Sequence, residues 1–356
     1  MTAGALLDDI VRVPLAGGRE VELHPFVLRD ACGCPSCCTG SGQRLFETSA
    51  VVPNARIAAV DFDGDTLKVT WADGHESEFD GDWLEGYVGG LPRRPEPTLW
   101  GSEFPPPVER YDDVVSDPAA LRRWLAAIAG YGFAVLEAAP LEDNMVAAVA
   151  ELFGHVRVTN YGRVFDVAVR VDATNLADTA RGLSLHTDNP YRFPPPTLQL
   201  LHCLASSAAG GETIVADGFR AVRLLEPHDR AVLASRPIRY AYCDATAELA
   251  ADVPVVSLDA RGEPQALHLN NRSKGVPVGS PVEVAEWYAA YFALLELLEA
   301  PEAQVVFRLE AGDLVAFDNA RVLHGRTAFS GVGRRRLQGC YADRDALLSA
   351  LAVLER

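Results

Sequence analysis

The sequence predicts a mainly β protein with helical insertions, in which a small β-rich N-terminal domain precedes a larger jelly-roll domain. Most segments after residue 184 have the pattern of strands, and two helices interrupt them without the strand–helix alternation of a parallel sheet. Before residue 92, short runs with alternating apolar positions indicate a separate set of strands. The 356 residues, of which 49% are apolar, suffice for two domains of ordinary size.

The predicted domains meet near residue 92, where a proline-rich stretch begins. Residues 1–92 contain the strand-like runs REVELHPFVL and TLKVTWADGHESEF. Residues 93–115 are rich in proline and carry no apolar period, so we interpret them as an extended linker. Residues 116–356 then form the second domain.

The second domain begins with a helix and a buried strand. In DPAALRRWLAAIAGYG, Asp117 is placed to cap the helix and Gly130 to end it, and FAVLEAA has the pattern of a buried strand. Further strands are predicted in TLQLLHCLA, ETIVADG, QALHLNNRS, QVVFRLEAGDLVAFDN and RRLQGCYA. An aromatic stripe on the helix SPVEVAEWYAAYFALLELLEA is expected to pack against the barrel or a partner subunit. Its members are Trp287, Tyr288, Tyr291 and Phe292.

Charge and composition exclude several classes of partner. The net charge of -17 argues against nucleic acid or an anionic membrane, because either needs a basic patch. The sequence contains no uncharged apolar stretch of about 18 residues, so a membrane span is not expected. The start MTAGALLDDIVRVPL lacks the basic region of a secretory signal. The cysteine count is odd at seven, and four of them crowd together, which favours a metal site in the reducing cytoplasm over disulfides.

The crowded cysteines lie in ACGCPSCC and predict a structural zinc site. Three thiolates on this turn can converge on one tetrahedral ion, and a histidine of the same region can complete a closed site. The predicted ligands are Cys32, Cys34, Cys37 and His75. Cys38 is left out because adjacent side chains diverge, and His24 is the only other histidine of this domain. The alternative is a cluster of free thiols, which would oxidise readily.

A second metal site is predicted from LSLHTDNPYRFPPP. His186 and Asp188 are two residues apart in an extended segment, so their side chains can bind one ion together. The alternative is a histidine that ends a strand and a turn-forming aspartate before Pro190. His324, in EAGDLVAFDNARVLHGR, supplies a third ligand at the end of a strand. Two imidazoles and one carboxylate on one face are the facial triad of non-haem Fe(II) oxygenases.

The remaining positions of such an iron suit an anionic chelating cosubstrate and O2. GRRRLQG follows His324, and strand alternation sends Arg335 to the face opposite its two arginine neighbours. The planar fork of Arg335 fits a distal carboxylate. Thr213 in GGETIV begins a strand, where its hydroxyl can supplement that arginine.

Taken together, these motifs resemble the γ-butyrobetaine hydroxylase and trimethyllysine hydroxylase family within the taurine-dioxygenase-like 2-oxoglutarate oxygenases. LRDACGCPSCCTGSGQRLF and WADGHESEF are similar to its zinc-binding domain, and LHTDNPYRFPPPTLQLLHCL, GGETIVADGF, FDNARVLHGR and RRLQGCYADRD to its catalytic domain. The resemblance covers nearly the whole chain. It implies a double-stranded β-helix, Fe(II) on the His186 site, 2-oxoglutarate at Arg335 and Thr213, structural Zn(II), and a homodimer.

The resemblance also implies a substrate pocket. The positions that match an aromatic cage for a quaternary ammonium are Tyr161, Phe165 and Tyr341, and those expected near the substrate's carboxylate are Asn175 and Asn270. Asp178 and Asn189 stand where the family carries tyrosines. Because a buried N–H group needs an acceptor and a trimethylammonium does not, we interpret these two residues as acceptors for a substrate with N–H groups. The alternative is that Asp178 points away and other residues complete the cage.

The predicted activity is hydroxylation of an unactivated C–H bond of a small amine or zwitterion, coupled to decarboxylation of 2-oxoglutarate to succinate and CO2. Three alternatives stay open at this point. The first is γ-butyrobetaine or trimethyllysine hydroxylation in carnitine biosynthesis. The second is desaturation or another oxidation in specialised metabolism. The third is a non-catalytic, zinc-stabilised binding module.

Overall fold

A computed structural model describes residues 10–89, 96–168, 179–329 and 333–356. The chain forms two compact units, Met1–Arg94 and Pro95–Arg356. The described residues of each unit surround apolar cores of their own. Among the described residues, no helix combines the length and the apolar character that crossing a membrane would require.

The first unit is a small β-rich domain with short helices. Its elements are β1 (Val11–Pro14), β2 (Glu20–Leu23), α1 (Pro25–Asp30), α2 (Thr48–Val51), β3 (Ile57–Phe62), β4 (Leu67–Trp71), β5 (Glu76–Phe79) and α3 (Gly81–Gly89). Strands β1 and β2 pair with each other, and β3, β4 and β5 form an antiparallel sheet. The alternating apolar residues of β4 and β5 are buried, as the sequence pattern predicted. The end of REVELHPFVL is helical rather than extended, because Pro25 begins α1 and the His24 side chain caps it.

The second unit contains most of the strands. They are β6 (Val108–Arg110), β7 (Phe133–Glu137), β8 (Phe165–Ala168), β9 (Leu183–His186), β10 (Leu198–Ser206), β11 (Thr213–Asp217), β12 (Ile238–Cys243), β13 (Glu248–Val253), β14 (Val256–Leu258), β15 (Pro264–Leu267), β16 (Gln304–Phe307), β17 (Leu314–Asp318), β18 (Val322–Arg326) and β19 (Arg335–Ala342). The helices are α4 (Tyr111–Ser116), α5 (Pro118–Tyr131), α6 (Met145–Ala150), α7 (Gly218–Leu224), α8 (Pro227–Ser235), α9 (Pro281–Glu299) and α10 (Arg344–Leu354). This is the mainly β architecture with helical insertions that the sequence predicted.

Two sheets form the barrel of this unit. The larger has the strand order β6-β7-β17-β10-β19-β8, and the smaller has the order β16-β11-β18-β9. One apolar core contains residues of both sheets, among them Phe133, Val215, Phe317 and Leu337. A second core joins the larger sheet to α5, α6 and α10, and a third joins β11 and β18 to α7, α8 and α9. The sheets therefore enclose a packed interior while helices cover their outer faces, which is the double-stranded β-helix fold.

Helix α5 ends two residues later than the sequence predicted. Asp117 caps its start as expected, since its carboxylate accepts a hydrogen bond from the backbone N–H of Ala119 at 2.9 Å. Its end is set by Gly132, which adopts φ 87° and leads directly into β7. A Cβ at Gly132 would lie 2.8 Å from a Val322 methyl group, so both the left-handed backbone and the close packing require glycine there. The prediction that Gly130 ends the helix was wrong.

The stretch predicted as a free linker, residues 93–115, packs into the second unit wherever it is described. Strand β6 pairs in parallel with β7. The Trp100 side chain is buried, and its indole N–H donates to the Tyr131 carbonyl at 2.7 Å. The prolines therefore shape an extended segment whose aromatic and apolar side chains complete the core, instead of a solvated spacer.

The aromatic stripe of α9 faces in two directions. Trp287 and Tyr291 are buried and stack with their ring centroids 4.8 Å apart, and the Lys274 ammonium lies over the Tyr291 ring at 5.2 Å. Phe292 is 60% exposed. Packing against the barrel, as expected from the spacing, thus accounts for the inner half of the stripe.

Candidate active site and metal centres

Three side chains with metal-ligating atoms meet where the end of β9 lies beside the middle of β18, the predicted strand end for His324 being two residues further on. His186 is the last residue of β9 and lies opposite His324 of β18 in the antiparallel register, and Asp188 follows two residues later. His186 Nε2 lies 3.3 Å and His324 Nε2 3.9 Å from Asp188 Oδ1. One ligand atom from each residue lies within 4.8 Å of the others. The structure therefore brings the three predicted iron ligands together.

The protonation states of these residues suit a divalent cation. Burial lowers the pKa of His324 to about 3, and the neighbouring His186 adds to this shift, so the imidazole is neutral. Burial alone would raise the pKa of Asp188, but the hydrogen bond with His186 and the proximity of His324 lower it well below its usual range. His186 Nδ1 lies 2.9 Å from the Ser184 carbonyl, so Nε2 faces the other two ligands. Two neutral imidazoles and one carboxylate are the donor set that Fe(II) takes in oxygenases.

Asp188 is held from both its backbone and its side chain. Its N–H donates to Asn319 Oδ1 at 2.7 Å, and its carbonyl accepts from Asn319 Nδ2 at 2.9 Å. The Tyr341 hydroxyl donates to Asp188 Oδ2 at 2.8 Å. Such partners fix the direction in which a ligating carboxylate points. Asn319 was not among the predicted site residues, although its position in FDNARVLHGR was a usable signal.

The predicted cosubstrate residues lie in the interior between the sheets. Thr213 on β11 is buried and pairs with Arg326, two residues along from the Val215–His324 pair, so it shares the face of His324. Arg335 begins β19, and the alternation of that strand places it on the same side as the buried Leu337.

Arg335 is a half-buried cation without an ion pair among the described residues. Burial lowers its pKa, and its guanidinium donates only to the Gly211 carbonyl at 3.4 Å and lies over the Phe329 ring. Gly211 has φ 76°, and a Cβ there would lie 2.9 Å from Arg335 Nε, which explains a glycine at this position in GGETIV. An anionic cosubstrate would satisfy Arg335, as a planar carboxylate can take two of its N–H groups.

Five aromatic rings form a continuous set that ends at the metal ligands, and we call it the aromatic group. Its members are Tyr161, Phe165, Tyr191, Tyr242 and Tyr341. Tyr341 contacts Phe165 with centroids 5.1 Å apart, and Tyr191 stacks on Tyr242 at 5.1 Å. The sequence predicted Tyr161, Phe165 and Tyr341, but it did not single out Tyr191 and Tyr242. Tyr191, two residues beyond Asn189, was a visible signal in HTDNPY.

The polar residues expected near the substrate have different surroundings from those predicted. Asn175 and Asp178 lie outside the described residues. The Asn270 side chain is engaged within the protein, since Nδ2 donates to the Thr187 carbonyl and Oδ1 accepts from the Arg272 N–H, both at 3.1 Å. Asn270 therefore holds the backbone beside the site, while its Nδ2 keeps a second proton, so the expectation that it meets a substrate carboxylate stays a prediction.

Asn189 already uses its oxygen within the protein. It adopts φ 55° and is buried, and its Oδ1 accepts a hydrogen bond from the Tyr191 hydroxyl at 2.6 Å. Its Nδ2 is buried and has no partner among the described residues. The amide thus offers a donor, and because its oxygen has a second lone pair, the acceptor role toward a substrate stays a prediction.

The cysteine cluster of the first unit has the geometry predicted from its spacing. Cys32, Cys34 and Cys37 place Sγ at 3.3, 3.7 and 3.4 Å from His75 Nε2, and one ligand atom from each of the four lies within 4.8 Å of the others. Cys38 is not part of this group. The four donors form a Cys3His set with the composition of a closed structural zinc site.

The surroundings of the cluster act differently on its thiols, because burial raises the pKa of Cys37. The Ser36 hydroxyl lowers the pKa of Cys34 to about 7. The buried Arg29 guanidinium donates to Cys37 Sγ at 3.2 Å, and it lies over the Phe46 and Trp71 rings. Burial lowers the pKa of His75, so its ring is neutral and can bind a metal.

Comparisons with known proteins show the family of each unit. Residues 93–341 match the family model for the taurine catabolism dioxygenase TauD, TfdA family, and residues 7–85 match the γ-butyrobetaine hydroxylase-like N-terminal model. A γ-butyrobetaine dioxygenase from Pseudomonas sp. (strain AK-1) is 34% identical, covering 97% of this chain and 94% of its own. The mitochondrial trimethyllysine dioxygenase of Bos taurus is 30% identical, covering 92% of this chain and 81% of its own.

A solved structure is similar in fold. Asparagine oxygenase in complex with Fe(II), a 3-hydroxyasparagine and succinate aligns with a TM-score of 0.52 at 23% identity, covering 65% of this chain and 82% of that one. The chain belongs to the taurine catabolism dioxygenase TauD, TfdA family. It is an Fe(II)- and 2-oxoglutarate-dependent dioxygenase with a γ-butyrobetaine hydroxylase-like N-terminal domain.

Proposed function

We propose that this dioxygenase hydroxylates an unactivated C–H bond of a small zwitterionic amine. The observation that carries the proposal is the convergence of His186, Asp188 and His324 at one edge of the aromatic group. When bound, Fe(II) and 2-oxoglutarate activate O2, and the oxidative chemistry belongs to them. The protein supplies the ligands, the binding sites and the exclusion of water.

The residues around the iron ligands divide this work between them. His186, Asp188 and His324 would hold Fe(II), and Asn319 and Tyr341 fix the Asp188 carboxylate. Arg335 would bind the distal carboxylate of 2-oxoglutarate, and Thr213 shares the face on which that carboxylate is expected. The carboxylate would remain in place through the reaction as part of succinate.

The aromatic group supports a cationic substrate. Ring faces attract an ammonium by cation–π interaction, most strongly when the site is desolvated. The Tyr191 and Tyr242 hydroxyls are engaged by Asn189 and Asp244, at 2.6 Å each, so these tyrosines offer ring surface to a ligand. The two relatives named above act, by their names, on γ-butyrobetaine and trimethyllysine, which carry both a quaternary ammonium and a carboxylate.

γ-Butyrobetaine itself is the second candidate. It is favoured by the addition of Tyr191 and Tyr242 to the predicted cage residues, because these rings supply aromatic surface that Asp178 and Asn189 do not. The preference for N–H substrates now rests mainly on Asp178, since the Asn189 oxygen already accepts one hydrogen bond. The two candidates are distinguished by the substrate nitrogen, which carries N–H groups in the first and three methyl groups in γ-butyrobetaine.

Succinate formation with paired substrates tests the proposal. γ-Butyrobetaine and its N–H counterpart 4-aminobutyrate are compared, and the product is identified by a mass increase of one oxygen. Turnover of either pair member supports a zwitterion hydroxylase, and their ratio decides between the two candidates. A product that has lost two hydrogens would instead indicate desaturation.

An anaerobic titration distinguishes an enzyme from a binding module. Addition of Fe(II) and 2-oxoglutarate should produce a weak visible charge-transfer band, and His186→Ala should abolish it. A protein that gives no band under these conditions would contradict the proposal, whatever its substrate.

We further propose a cytoplasmic homodimer. The large apolar side chains exposed on and just before α9 support a self-association surface: Val276, Val278, Val282 and Phe292. Sedimentation equilibrium gives the mass directly, and Phe292→Glu should shift it toward the monomer. The free cysteines of the chain agree with a reducing compartment.

A further inference from the structure

We propose that Arg272 binds the acidic group of the substrate and thereby selects zwitterions over plain amines. This inference rests on the proposed function and adds a cationic side chain to the carboxylate recognition predicted for Asn270. Arg272 was not among the residues that the sequence singled out.

The position of Arg272 is fixed by contacts that reach the iron ligands. The segment after β15 pairs with the segment after β9: Thr187 N–H donates to the Leu269 carbonyl at 2.7 Å, and Leu269 N–H donates to Thr187 Oγ1 at 3.0 Å. Asn270 extends this pairing, because its Nδ2 donates to the Thr187 carbonyl while its Oδ1 accepts from the Arg272 N–H. The backbone of Arg272 is thus tied to the residue that precedes Asp188.

The Arg272 guanidinium lacks a partner within the described part of the chain. It forms no ion pair or side-chain hydrogen bond there, yet it is close enough to Asp188 and His324 to influence both electrostatically. The residue is exposed to solvent, and the surrounding protein still desolvates it enough to lower its pKa. An exposed cation on a segment that is hydrogen-bonded to the residue before Asp188 is available to a ligand bound beside the iron ligands.

Other arginines of the second unit show how unusual this arrangement is. Arg321 pairs with Asp217 at 2.8 Å in the interior, and Arg344 pairs with Asp318 at 2.7 Å. Arg308 donates to three backbone carbonyls. A partly desolvated cation left without an anion costs free energy, and a ligand anion removes that cost. Arg335 has this property and is assigned to the cosubstrate, which leaves Arg272 for the substrate.

A second unsatisfied donor lies in the segment that carries Asp188. Tyr191 uses its only proton on Asn189 Oδ1, so Tyr161, 2.9 Å away, must donate to Tyr191. This chain of hydrogen bonds holds the Asn189 amide, whose buried Nδ2 finds no acceptor in the part of the chain that the structure describes. A buried donor without an acceptor is costly, and an oxygen of the substrate would satisfy it.

Together these groups define a class of ligand. A guanidinium presents a planar pair of N–H groups, which matches a carboxylate better than any other common anion. The aromatic group attracts the cationic nitrogen, and the reacting carbon lies between the two charges of the zwitterion. An amine without an acid group would leave Arg272 unpaired and should bind poorly.

The test compares acids with their neutral amides. γ-Butyrobetaine and 4-aminobutyrate are assayed beside their primary carboxamides, which keep size and shape but lose the charge. The readouts are kcat/KM from succinate release and the ligand-induced change of the anaerobic Fe(II)–2-oxoglutarate band. The variants are Arg272→Ala, Arg272→Lys and, as a matched control, Arg122→Ala, an exposed arginine of α5 without a side-chain contact to the described residues.

We expect Arg272→Ala to lower kcat/KM for the acid roughly 10- to 100-fold, as for loss of a charged hydrogen-bonded pair, and to leave the amide nearly unchanged. Arg272→Lys should give an intermediate loss because it keeps the charge but not the fork. Arg122→Ala should behave as wild type. Each variant should keep the anaerobic band, since Arg272 does not bind the metal.

Three results would overturn the assignment. These are a loss within twofold for the acid, an equal loss for acid and amide, or loss of the band in both Arg272 variants, which would indicate a structural role. A wild-type enzyme that forms the band but neither binds nor hydroxylates the acids would also refute it. Absence of the band in the wild type would instead refute the proposed function.

Discussion

The two metal centres of this chain are built in different ways. In the zinc cluster, three ligands fall within six residues of one turn and the fourth comes from the turn between β4 and β5, so four protein donors surround the ion. The iron site takes its ligands from residues 186, 188 and 324, which meet only because β9 pairs with β18. A closed set of four holds a small domain together, whereas an open set of three leaves positions for cosubstrate and O2.

Ligands that are close in sequence form the closed structural site, whereas ligands that meet through strand pairing form the open site. The first unit has a single small core, and its Cys3His cluster joins the turn after α1 to the turn between β4 and β5. The second unit has three large cores, so we expect it to fold without its metal. We therefore expect metal loss to unfold the first unit. In the second unit, metal loss should abolish activity and leave the fold intact.

The largest expected effect is on turnover. His324→Ala should reduce succinate formation by more than about 100-fold. Replacing a residue that only hydrogen-bonds to a metal ligand already lowers metal affinity or activity about 10- to 100-fold. Circular dichroism and the melting temperature of the second unit should change little, since His324 is one residue in a packed barrel. Unfolding of the barrel in this variant would contradict the contrast between the two centres.

The next effect is on stability of the first unit. Cys37→Ser should remove zinc and abolish the thermal transition of this unit, as structural zinc contributes about 10 kcal/mol or more in small domains. Cys38→Ser is the matched control, because Cys38 adjoins Cys37 but lies outside the cluster. Zinc content by elemental analysis should be near one per chain in the control. Equal zinc loss in both variants would show that the ligand set is different.

A smaller effect should follow from loosening the iron site without removing a ligand. Asn319→Ala deletes the two hydrogen bonds that fix the Asp188 backbone, and it should weaken Fe(II) binding about 10- to 100-fold. Asn54→Ala, at an exposed asparagine, provides the control. Fe(II) affinity, followed by the anaerobic band, is the measurement. Unchanged affinity in Asn319→Ala would mean that β9 alone positions Asp188.

The smallest effect concerns the acidity of one zinc ligand. The hydrogen bond with Ser36, which lowers the pKa of Cys34 to about 7, joins residues only two apart. We therefore expect it to persist locally when metal is removed, with the ionised fraction of this thiol rising through neutral pH. Ser36→Ala should raise this pKa toward the ordinary thiol value and slow alkylation of Cys34 at pH 7. Mass spectrometry of the alkylated site across pH measures the shift. Ser41→Ala, in the same loop, should leave it unchanged.

Much of both sites could be predicted from residue types at short spacing. Cys32, Cys34 and Cys37 restrict one another on a single turn, and His186 and Asp188 share a face because side chains alternate in an extended segment. The alternation of β19 likewise separated Arg335 from its neighbours. Local patterns did not predict which glycine ends α5, because packing around Gly132 decides that point. They also did not predict that the proline-rich segment joins the sheet through β6.

The sequence by itself determined which atoms can bind the metals and the cosubstrate, because those chemistries demand particular donors at particular spacings. Only the tertiary structure decided which polar groups remain unpaired in the substrate pocket. Asn189 and Asn270 are equally polar in the sequence, but Tyr191 and Thr187 engage their side chains, and Arg272 forms no ion pair with any residue that the structure describes. Hydrogen-bond satisfaction depends on neighbours far along the chain, and residue type alone does not specify it.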